Sequence, residues 1–452
     1  MNRTLIRGGC VVTLDPAIGD FVGADVLVAG ETIAAVAPRI EAGAAEVVDA
    51  TGCIIIPGLV NAHMHTWQTA LRGVAANWTL LEYFRKMHAG LATLFRPEDL
   101  HIATLVGALN QLNCGTTTLG DWCHNNPTPA HNDAALQALD ESGIRAVFLH
   151  GTPKPDPGPG ERPFWETPHP AHELRRLRSD WLPGRPLLSI GAAILGPHYS
   201  TLDVALHDFR MARDLGVIAS MHQGGGPARA PDGWGRLEQA GLLGEHVNIV
   251  HGHALGDAQL RRFIERGISF SVAPENEMVQ GHGHPITGRL LALGAAPSLG
   301  VDLESTVSGE MLVQARTALN LQRSLDNVAS RAEKGNIPPT STIKARQALA
   351  WATLEGARAL KLDDRVGSLT PGKQADLVLI DATALNMQPV HDPVATVVLQ
   401  TSLANVRDVM VGGRWRKRDG RLLYDGLAAR LEQLRASGRR IAAALDLGSS
   451  MA

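Results

Sequence analysis

One stretch decides the fold of this chain: Pro57-Gly58-Leu59-Val60-Asn61-Ala62-His63-Met64-His65. It follows the apolar run Ile54-Ile55-Ile56, which is typical of a buried strand. Successive side chains of a strand alternate between its two faces, so we expect His63 and His65 to point the same way. Two imidazoles on one face at the end of a strand can hold one metal ion, although such a pair can also be surface or core histidines. The Pro-Gly-Leu-Val-Asn-Ala lead-in favours the metal site.

Beyond this stretch, short apolar runs alternate with helix-like segments such as 97–112, 132–142 and 257–266. The apolar runs lie at residues 116–120, 146–150, 187–194, 217–221, 247–250, 268–272 and 296–301. With the first strand they make eight, and this alternation predicts an α/β fold, a parallel (β/α)8 TIM-like barrel. Catalytic groups of such barrels lie at the C-terminal ends of the strands, so the residues just after each run are the candidates.

The composition excludes several classes of partner. Hydrophobic residues make up 44% and charged residues 19% of the 452 positions, which suits a globular enzyme with a large core. Lys+Arg 42 against Asp+Glu 45 gives a net charge of -3, which argues against a surface for nucleic acid or anionic membrane. The 4 cysteines form no CxxC pair, and no apolar run is long enough to span a membrane. We therefore expect a cytoplasmic protein that acts on a small molecule.

The stretch 57–65, with Thr66-Trp67-Gln68-Thr69-Ala70-Leu71-Arg72-Gly73 after it, resembles the amidohydrolase superfamily. In that superfamily the first barrel strand ends in His-x-His. The resemblance is strongest to the branch of cytosine, guanine, S-adenosylhomocysteine and triazine hydrolases. It implies a metal-dependent hydrolase barrel, with a small β-sandwich beside it.

The resemblance also implies how the chain is divided. Strand-like runs between residues 4 and 49 form an incomplete β unit, and the segments 366–381 and 406–413 resemble the parts that complete the sandwich. We predict four parts, namely 1–56 (N-terminal part of the sandwich), 57–362 (barrel), 363–425 (C-terminal part of the sandwich) and 426–452 (C-terminal helix and tail). That helix is amphipathic, which fits either packing on the barrel or an oligomer contact, and we expect a homo-oligomer, a dimer or larger.

Two further strand ends resemble metal-ligand positions of the superfamily. Ser220-Met221-His222 follows the fifth strand, and Ser298-Leu299-Gly300-Val301-Asp302 follows the eighth. The resemblance implies one divalent ion, zinc with iron as the alternative, held by His63, His65, His222 and Asp302. Binuclear members place a carboxylated lysine after the fourth strand. This chain has none there, because Lys154 follows the third strand, and we expect one ion rather than two.

Other strand ends resemble substrate and proton-transfer positions. Gly196-Pro197-His198-Tyr199-Ser200-Thr201 resembles the Pro-His-x-x-Thr turn of nucleoside-acting relatives, so His198 is predicted to bind substrate. His251, after the sixth strand, matches a histidine that hydrogen-bonds the attacking water or the substrate. We predict that His251 orients or deprotonates this water, with Asp302 also receiving its proton.

One position departs from the deaminases of this branch. They carry a glutamate three residues after the third metal histidine, where it moves a proton to the substrate nitrogen, and this chain has Gly225 there. The loop after the seventh strand, at residues 274–285, offers acids and histidines at the barrel mouth. We predict Glu277 as the proton donor, with Glu275 and His282 as substrate contacts. A structural role is equally open for each.

Aromatic residues and one further acid complete the candidates. Trp67 and Trp78, in the loop after the first strand, could provide a flat apolar wall for a ring, or they could pack beneath that loop. Glu304, two residues after Asp302, is another candidate acid.

The sequence as a whole predicts a metal-dependent hydrolase of C–N bonds other than peptide bonds, a deaminase of a small nitrogen heterocycle. Because the usual glutamate is absent, a non-deaminating hydrolase or cyclase of the same superfamily is the alternative. A catalytically inactive scaffold is the third hypothesis, and the complete ligand set argues against it.

Overall fold

The computed structural model describes residues 3–41, 43–224 and 226–445. The N-terminal strands are β1 (Arg3–Val11), β2 (Phe21–Ala29), β3 (Thr32–Ala37), β4 (Glu46–Asp49) and β5 (Cys53–Pro57). The barrel strands are β6 (Leu59–Met64), β7 (Thr116–Cys123), β8 (Arg145–His150), β9 (Leu188–Ala193), β10 (Ala219–Gln223), β11 (Val247–His251), β12 (Ser269–Val272) and β13 (Ser298–Leu299). The C-terminal strands are β14 (Leu377–Asp381), β15 (Val406–Val411), β16 (Arg414–Arg418) and β17 (Arg421–Leu422).

The α-helices lie mostly between barrel strands and after the last one. They are α1 (Leu80–Tyr83), α2 (Pro97–Asn113), α3 (Pro129–Ser142), α4 (Ala171–Trp181), α5 (Gly196–Tyr199), α6 (Leu202–Leu215), α7 (Gly233–Gln239), α8 (Asp257–Glu265), α9 (Pro274–Gln280), α10 (Thr287–Ala292), α11 (Met311–Lys334), α12 (Ala345–Trp351), α13 (Leu354–Ala359), α14 (Pro393–Gln400) and α15 (Leu427–Ala442). A π-turn (Phe84–His88) follows α1. Within the described residues, none of these helices combines the length and hydrophobicity needed to cross a membrane.

The predicted barrel is confirmed. Strands β6 to β13 form one parallel sheet in which each strand pairs with its neighbours in chain order. Its ends meet where the peptide N–H of Asp302 donates to His63 O (3.0 Å) and the N–H of His65 donates to Asp302 O (2.9 Å). Asp302 has φ +68°, a left-handed conformation that residues other than glycine seldom adopt. Closing the barrel therefore brings the end of the eighth strand directly beside the first His-x-His.

The second sheet contains strands from both chain ends, as predicted. β5 pairs antiparallel with β14, so that Ile56 lies opposite Val378. A separate apolar core that includes Ile6, Val26 and Leu377 fills this part of the molecule. The exact domain boundaries stay a prediction.

The apolar run at residues 54–56 forms a buried strand of its own, separate from the strand that carries the first histidine. It belongs to β5 in the second sheet, whereas the first barrel strand is β6, which itself carries His63. Gly58 separates the two strands, and a Cβ there would lie 2.0 Å from Thr117 Oγ1. The chain passes from the second sheet to the barrel between β5 and β6. Only glycine fits at this point, because any side chain would collide with Thr117.

The C-terminal helix packs on the barrel in the described part of the chain. Leu434 and Ile441 of α15 are buried, and Ser437 Oγ donates to Asp99 Oδ1 of α2 (2.7 Å). The end of the predicted tail, residues 446–452, lies outside the described residues.

A buried ion pair joins the barrel to the second sheet. Arg145 of β8 donates from Nε and Nη2 to the two carboxylate oxygens of Asp376, both at 2.9 Å. The N–H of Gly412 donates to the same carboxylate at 2.8 Å. The side chains of Arg145 and Asp376 are 2% and 1% exposed. Water therefore reaches neither charge, and each charge is stabilised by the other.

We expect Arg145→Met to lower the free energy of unfolding by about 3–5 kcal/mol, because it leaves the Asp376 carboxylate buried without its countercharge. Urea denaturation followed by circular dichroism measures this loss. Arg213→Met, which removes the surface pair with Asp214, is the control and should cost at most about 1 kcal/mol. Equal losses in the two variants would contradict the importance of the buried pair.

Candidate active site

Four side chains from three strand ends converge at the C-terminal mouth of the barrel. They are His63, His65, His222 and Asp302, and their ligand atoms all lie within 4.8 Å of one another. The first two flank the end of β6, the third lies in β10, and the fourth follows β13. All four side chains are almost completely buried.

Distances within the cluster suit one shared ion. His63 Nε2 lies 3.2 Å from His222 Nε2 and 3.3 Å from Asp302 Oδ1, and His65 Nε2 lies 3.3 Å from the same Asp302 oxygen. Zinc takes imidazole nitrogen and carboxylate oxygen ligands at about 2.0–2.2 Å, so ligand atoms this close together can share one ion. The four groups therefore fit one divalent metal ion.

The charge states also suit a metal. Burial holds the pKa of His63 below, and that of His222 well below, the usual range, so both rings stay neutral and keep a lone pair for a ligand bond. Burial alone would raise the pKa of Asp302, but its close contacts with the imidazoles of His63 and His65 hold that pKa well below its usual value. An ionised carboxylate beside neutral imidazoles is the donor set that zinc prefers.

Neighbouring groups fix the orientation of two of these side chains. His65 Nδ1 donates to the backbone carbonyl of Trp122 (2.6 Å), which leaves the lone pair on Nε2 facing the cluster. Asn276 Nδ2 donates to Asp302 Oδ2 (2.7 Å). Asn276 is not among the residues predicted from the sequence, which are the acids and histidines of that loop.

His251 ends β11 beside the cluster and points its two ring nitrogens in opposite directions. Nδ1 lies 2.9 Å from Glu277 Oε1, and Nε2 lies 3.8 Å from Asp302 Oδ2. Burial lowers the pKa of His251 to about 4 and raises that of Glu277 to about 7. With φ +69°, His251 shares with Asp302 a strained backbone of the kind found at functional sites.

Glu277 lies behind His251 rather than in the cavity. Its side chain is fully buried, and Oε1 also accepts the N–H of Ala273 at 2.9 Å. Glu277 is predicted from the sequence as the proton donor, but this position suits a group that orients His251. A carboxylate that accepts from Nδ1 leaves Nε2 free to take a proton.

A cavity of about 30 Å³ opens in front of the cluster. Tyr83, Phe84 and His88, from α1 and the π-turn, form part of its wall, with Tyr199 and the predicted substrate contact His282. Its volume is that of about one water molecule, so a ring substrate has to displace some of these side chains. Within the described residues, Asp302 is the one carboxylate that lines this cavity.

Lys154 also lines the cavity. Its Nζ lies 5.2 Å from the ring centre of Tyr199 and 5.8 Å from those of Phe84 and Trp122. No carboxylate forms an ion pair with it in the part of the chain that the structure describes. No role is predicted for Lys154 from the sequence, because its position after the third strand excludes a metal bridge.

Several other sequence candidates lie away from the cavity wall. Trp67 is fully buried and donates from Nε1 to His124 Nδ1 (3.4 Å), which fits the alternative of packing under the loop. His198 Nδ1 lies 3.1 Å from Gln223 Nε2. Glu275 Oε2 accepts from Gln314 Nε2 of α11 (2.6 Å).

The remaining candidates add no acid to the cavity. Glu304 accepts hydrogen bonds from Thr69 (2.7 Å), Arg72 (3.0 Å) and Asn110 (2.7 Å), which is a structural network. Gly225, the position of the missing glutamate, lies outside the described residues.

Comparisons with known proteins agree with this geometry. The 8-oxoguanine deaminase of Pseudomonas aeruginosa is 31% identical over 420 residues, which cover 87% of this chain and 89% of that protein. The 5-methylthioadenosine/S-adenosylhomocysteine deaminase of Syntrophobacter fumaroxidans is 28% identical over 453 residues, 97% of this chain and 98% of that protein.

Solved structures share the fold over nearly the whole chain. An adenosine deaminase from Xanthomonas campestris with bound zinc superposes with a TM-score of 0.83 at 25% identity, covering 97% of this chain and 98% of that one. The atrazine chlorohydrolase TrzN from Arthrobacter aurescens TC1, complexed with zinc, has the same fold, with a TM-score of 0.83 at 22% identity over 96% of this chain and all (100%) of that one. The model of the amidohydrolase family matches residues 54–416, and the chain belongs to that family.

Proposed function

We propose that this chain is a zinc-dependent deaminase that hydrolyses a ring amidine or amide of a purine-, pterin- or triazine-like compound. As an amidohydrolase it is a hydrolase of C–N bonds other than peptide bonds. The observation that carries the proposal is the cluster of His63, His65, His222 and Asp302 at a cavity lined by aromatic and imidazole rings. The deaminase names of its relatives support the same reaction class.

One ion per chain is proposed, with zinc favoured over iron. Three imidazoles and one carboxylate suit zinc, and two of the similar structures contain it. When bound by these four residues, zinc would supply a Lewis acid and would lower the pKa of the attacking water from about 15.7 to about 7.

The chain's own residues then have separate roles. His251 Nε2 and Asp302 face the same side of the cavity, and we assign to them the proton released by the attacking water. Glu277 holds the other nitrogen of His251, so it acts as a positioning residue. His282, whose ring centre is 4.4 Å from that of His251, is assigned to substrate contact.

A second candidate function has one specific observation in its favour. The acid that relatives place three residues after the third metal histidine is absent from the sequence, where Gly225 stands. Hydrolysis or cyclisation without an amine leaving group would not need that acid. A homo-oligomeric state and a cytoplasmic location remain predictions.

The metal site predicts that the purified protein binds one equivalent of zinc. His222→Ala should lose most of it, because it removes one of four ligands from a buried site. Elemental analysis after gel filtration measures the content. His101→Ala, at the surface beside Glu141, should keep its zinc. Two equivalents in the active protein would contradict the mononuclear assignment.

The position of Glu277 predicts that Glu277→Gln keeps its zinc and loses about 10–100-fold in kcat, because His251 is no longer held by a carboxylate. Glu275→Gln is the matched control from the same helix, and its kcat should stay within about threefold. Turnover and zinc content are measured on the same preparations. Near-normal kcat in Glu277→Gln, or an equal loss in both variants, would contradict the proposal that Glu277 positions His251.

The function itself is tested by incubating the zinc-loaded protein with purine bases, purine nucleosides, pterins and amino-triazines. Ammonia release and substrate loss are followed in parallel, and we expect them to match for at least one compound class. Substrate loss without ammonia would support the second candidate instead. Inactivity on the whole panel would reject the proposed reaction.

A further inference from the structure

A deaminase must deliver a proton to the nitrogen that leaves, since an amide ion is too basic to depart. The relatives' acid is missing from the sequence at Gly225, and Glu277 is enclosed behind His251. The donor therefore has to be a group that lines the cavity and carries a transferable proton. Within the described residues, the cavity offers imidazoles, two tyrosines, Asp302 and one ammonium.

Most of these groups are poor donors at neutral pH. Burial lowers the pKa of His282 to about 4 and those of His88 and His124 well below the usual range, so these rings are neutral. Burial holds the pKa values of Tyr83 and Tyr199 above their usual value, so both hydroxyls are weak acids. His251 and Asp302 become acids only after they receive the proton of the water.

Lys154 differs from all of them. Its side chain reaches the cavity from the loop after β8, where Pro153 and Pro155 flank it and restrict the backbone. Three aromatic rings surround its ammonium, and no carboxylate of the described residues pairs with it. A buried cation without a countercharge is costly to maintain, which indicates a functional reason for its presence.

We propose that Lys154 is the general acid that protonates the leaving amine, an assignment that rests on the proposed deamination. Water adds to the ring carbon, and one water proton passes to His251 or Asp302. The other water proton stays on the new hydroxyl and moves to the ring nitrogen as the carbonyl forms. The Lys154 ammonium then gives a proton to the amino nitrogen as the C–N bond breaks, and ammonia departs. The neutral Lys154 amine regains its proton from the group that took the water proton. The sum is substrate and water to carbonyl product and ammonia.

The acidity of Lys154 fits this role. Burial lowers its pKa to about 8, although the carboxylate of Asp302 opposes this. A donor works best when its pKa lies near the operating pH. The other groups that interact electrostatically with Lys154 are His88, His124, His222 and His251, all with lowered pKa values. The amine must be protonated to act, so deamination should fall as pH rises through about 8.

The leaving group provides the sharpest test. Lys154→Met should lose about 10²-fold or more in kcat on an amino substrate, the usual scale for acid–base catalysis. With the same ring carrying chlorine in place of the amino group, its kcat should stay within about threefold, because chloride leaves without a proton. Lys154→Arg keeps the charge, but the guanidinium cannot donate its proton. This variant should lose activity on the amino substrate and keep it on the chloro substrate.

The matched control is Lys86→Met. Lys86 lies in the π-turn near the same cavity, but its ammonium is paired with Glu82 (2.9 Å) and lies over Trp78. This variant should deaminate normally. Equal losses on amino and chloro substrates in Lys154→Met would show a structural role, and retained deamination would show that His251 or Asp302 supplies the proton.

A second readout does not depend on turnover. Protein with 13C-labelled lysine, loaded with zinc, is titrated by NMR, and Lys154 is identified by the resonance missing from Lys154→Arg. We expect a pKa near 8 for Lys154. A pKa near about 10.4, the ordinary lysine value, would overturn the proposal. If the unmodified protein releases chloride but no ammonia, deamination itself is wrong. If ammonia release survives Lys154→Met, only the lysine assignment fails.

Discussion

Two backbone hydrogen bonds hold the barrel closed and the candidate metal site together. The peptide unit of Asp302 donates to His63 O and accepts from the N–H of His65. Because the same three residues carry metal-ligand side chains, closing the sheet and assembling the cluster are one structural event. Anything that opened the barrel at this seam would also separate the carboxylate from the first two imidazoles.

The seam has a conformational cost that the rest of the fold offsets. Asp302 and His251 both have positive φ angles, which cost about 1–3 kcal/mol each for residues other than glycine. Packing around the strand ends maintains this strained backbone, which brings the two side chains to within 3.8 Å of each other. Asn276 adds a hydrogen bond that fixes the second oxygen of Asp302.

Charge is distributed unevenly around this point. Asp302 is the single carboxylate on the cavity wall among the described residues, whereas Lys154 faces the same space. Glu277 and Glu304 are buried close by, but hydrogen bonds direct them to His251 and to Thr69, Arg72 and Asn110. The cavity is therefore poor in negative charge, although two glutamates are buried close to the residues that line it.

Local rules made the barrel and the first two ligands predictable, because strand periodicity put His63 and His65 on one side. His222 and Asp302 were predicted from the resemblance to the superfamily, whose ligands lie at the ends of the same strands. The boundaries were less certain, because short strands are defined by pairing. The run at 54–56 is predicted only as a buried strand, and its pairing with β14 in the second sheet is visible only in the structure.

The sequence by itself determined the fold class, the family and the four residues that meet as a cluster. These depend on repeated patterns and short motifs that act over a few residues. Only the tertiary structure decided that Glu277 supports His251, that Trp67 packs beneath its loop and that Lys154 reaches the cavity. The direction of a side chain in a loop depends on segments far away in sequence, whose packing no local pattern encodes.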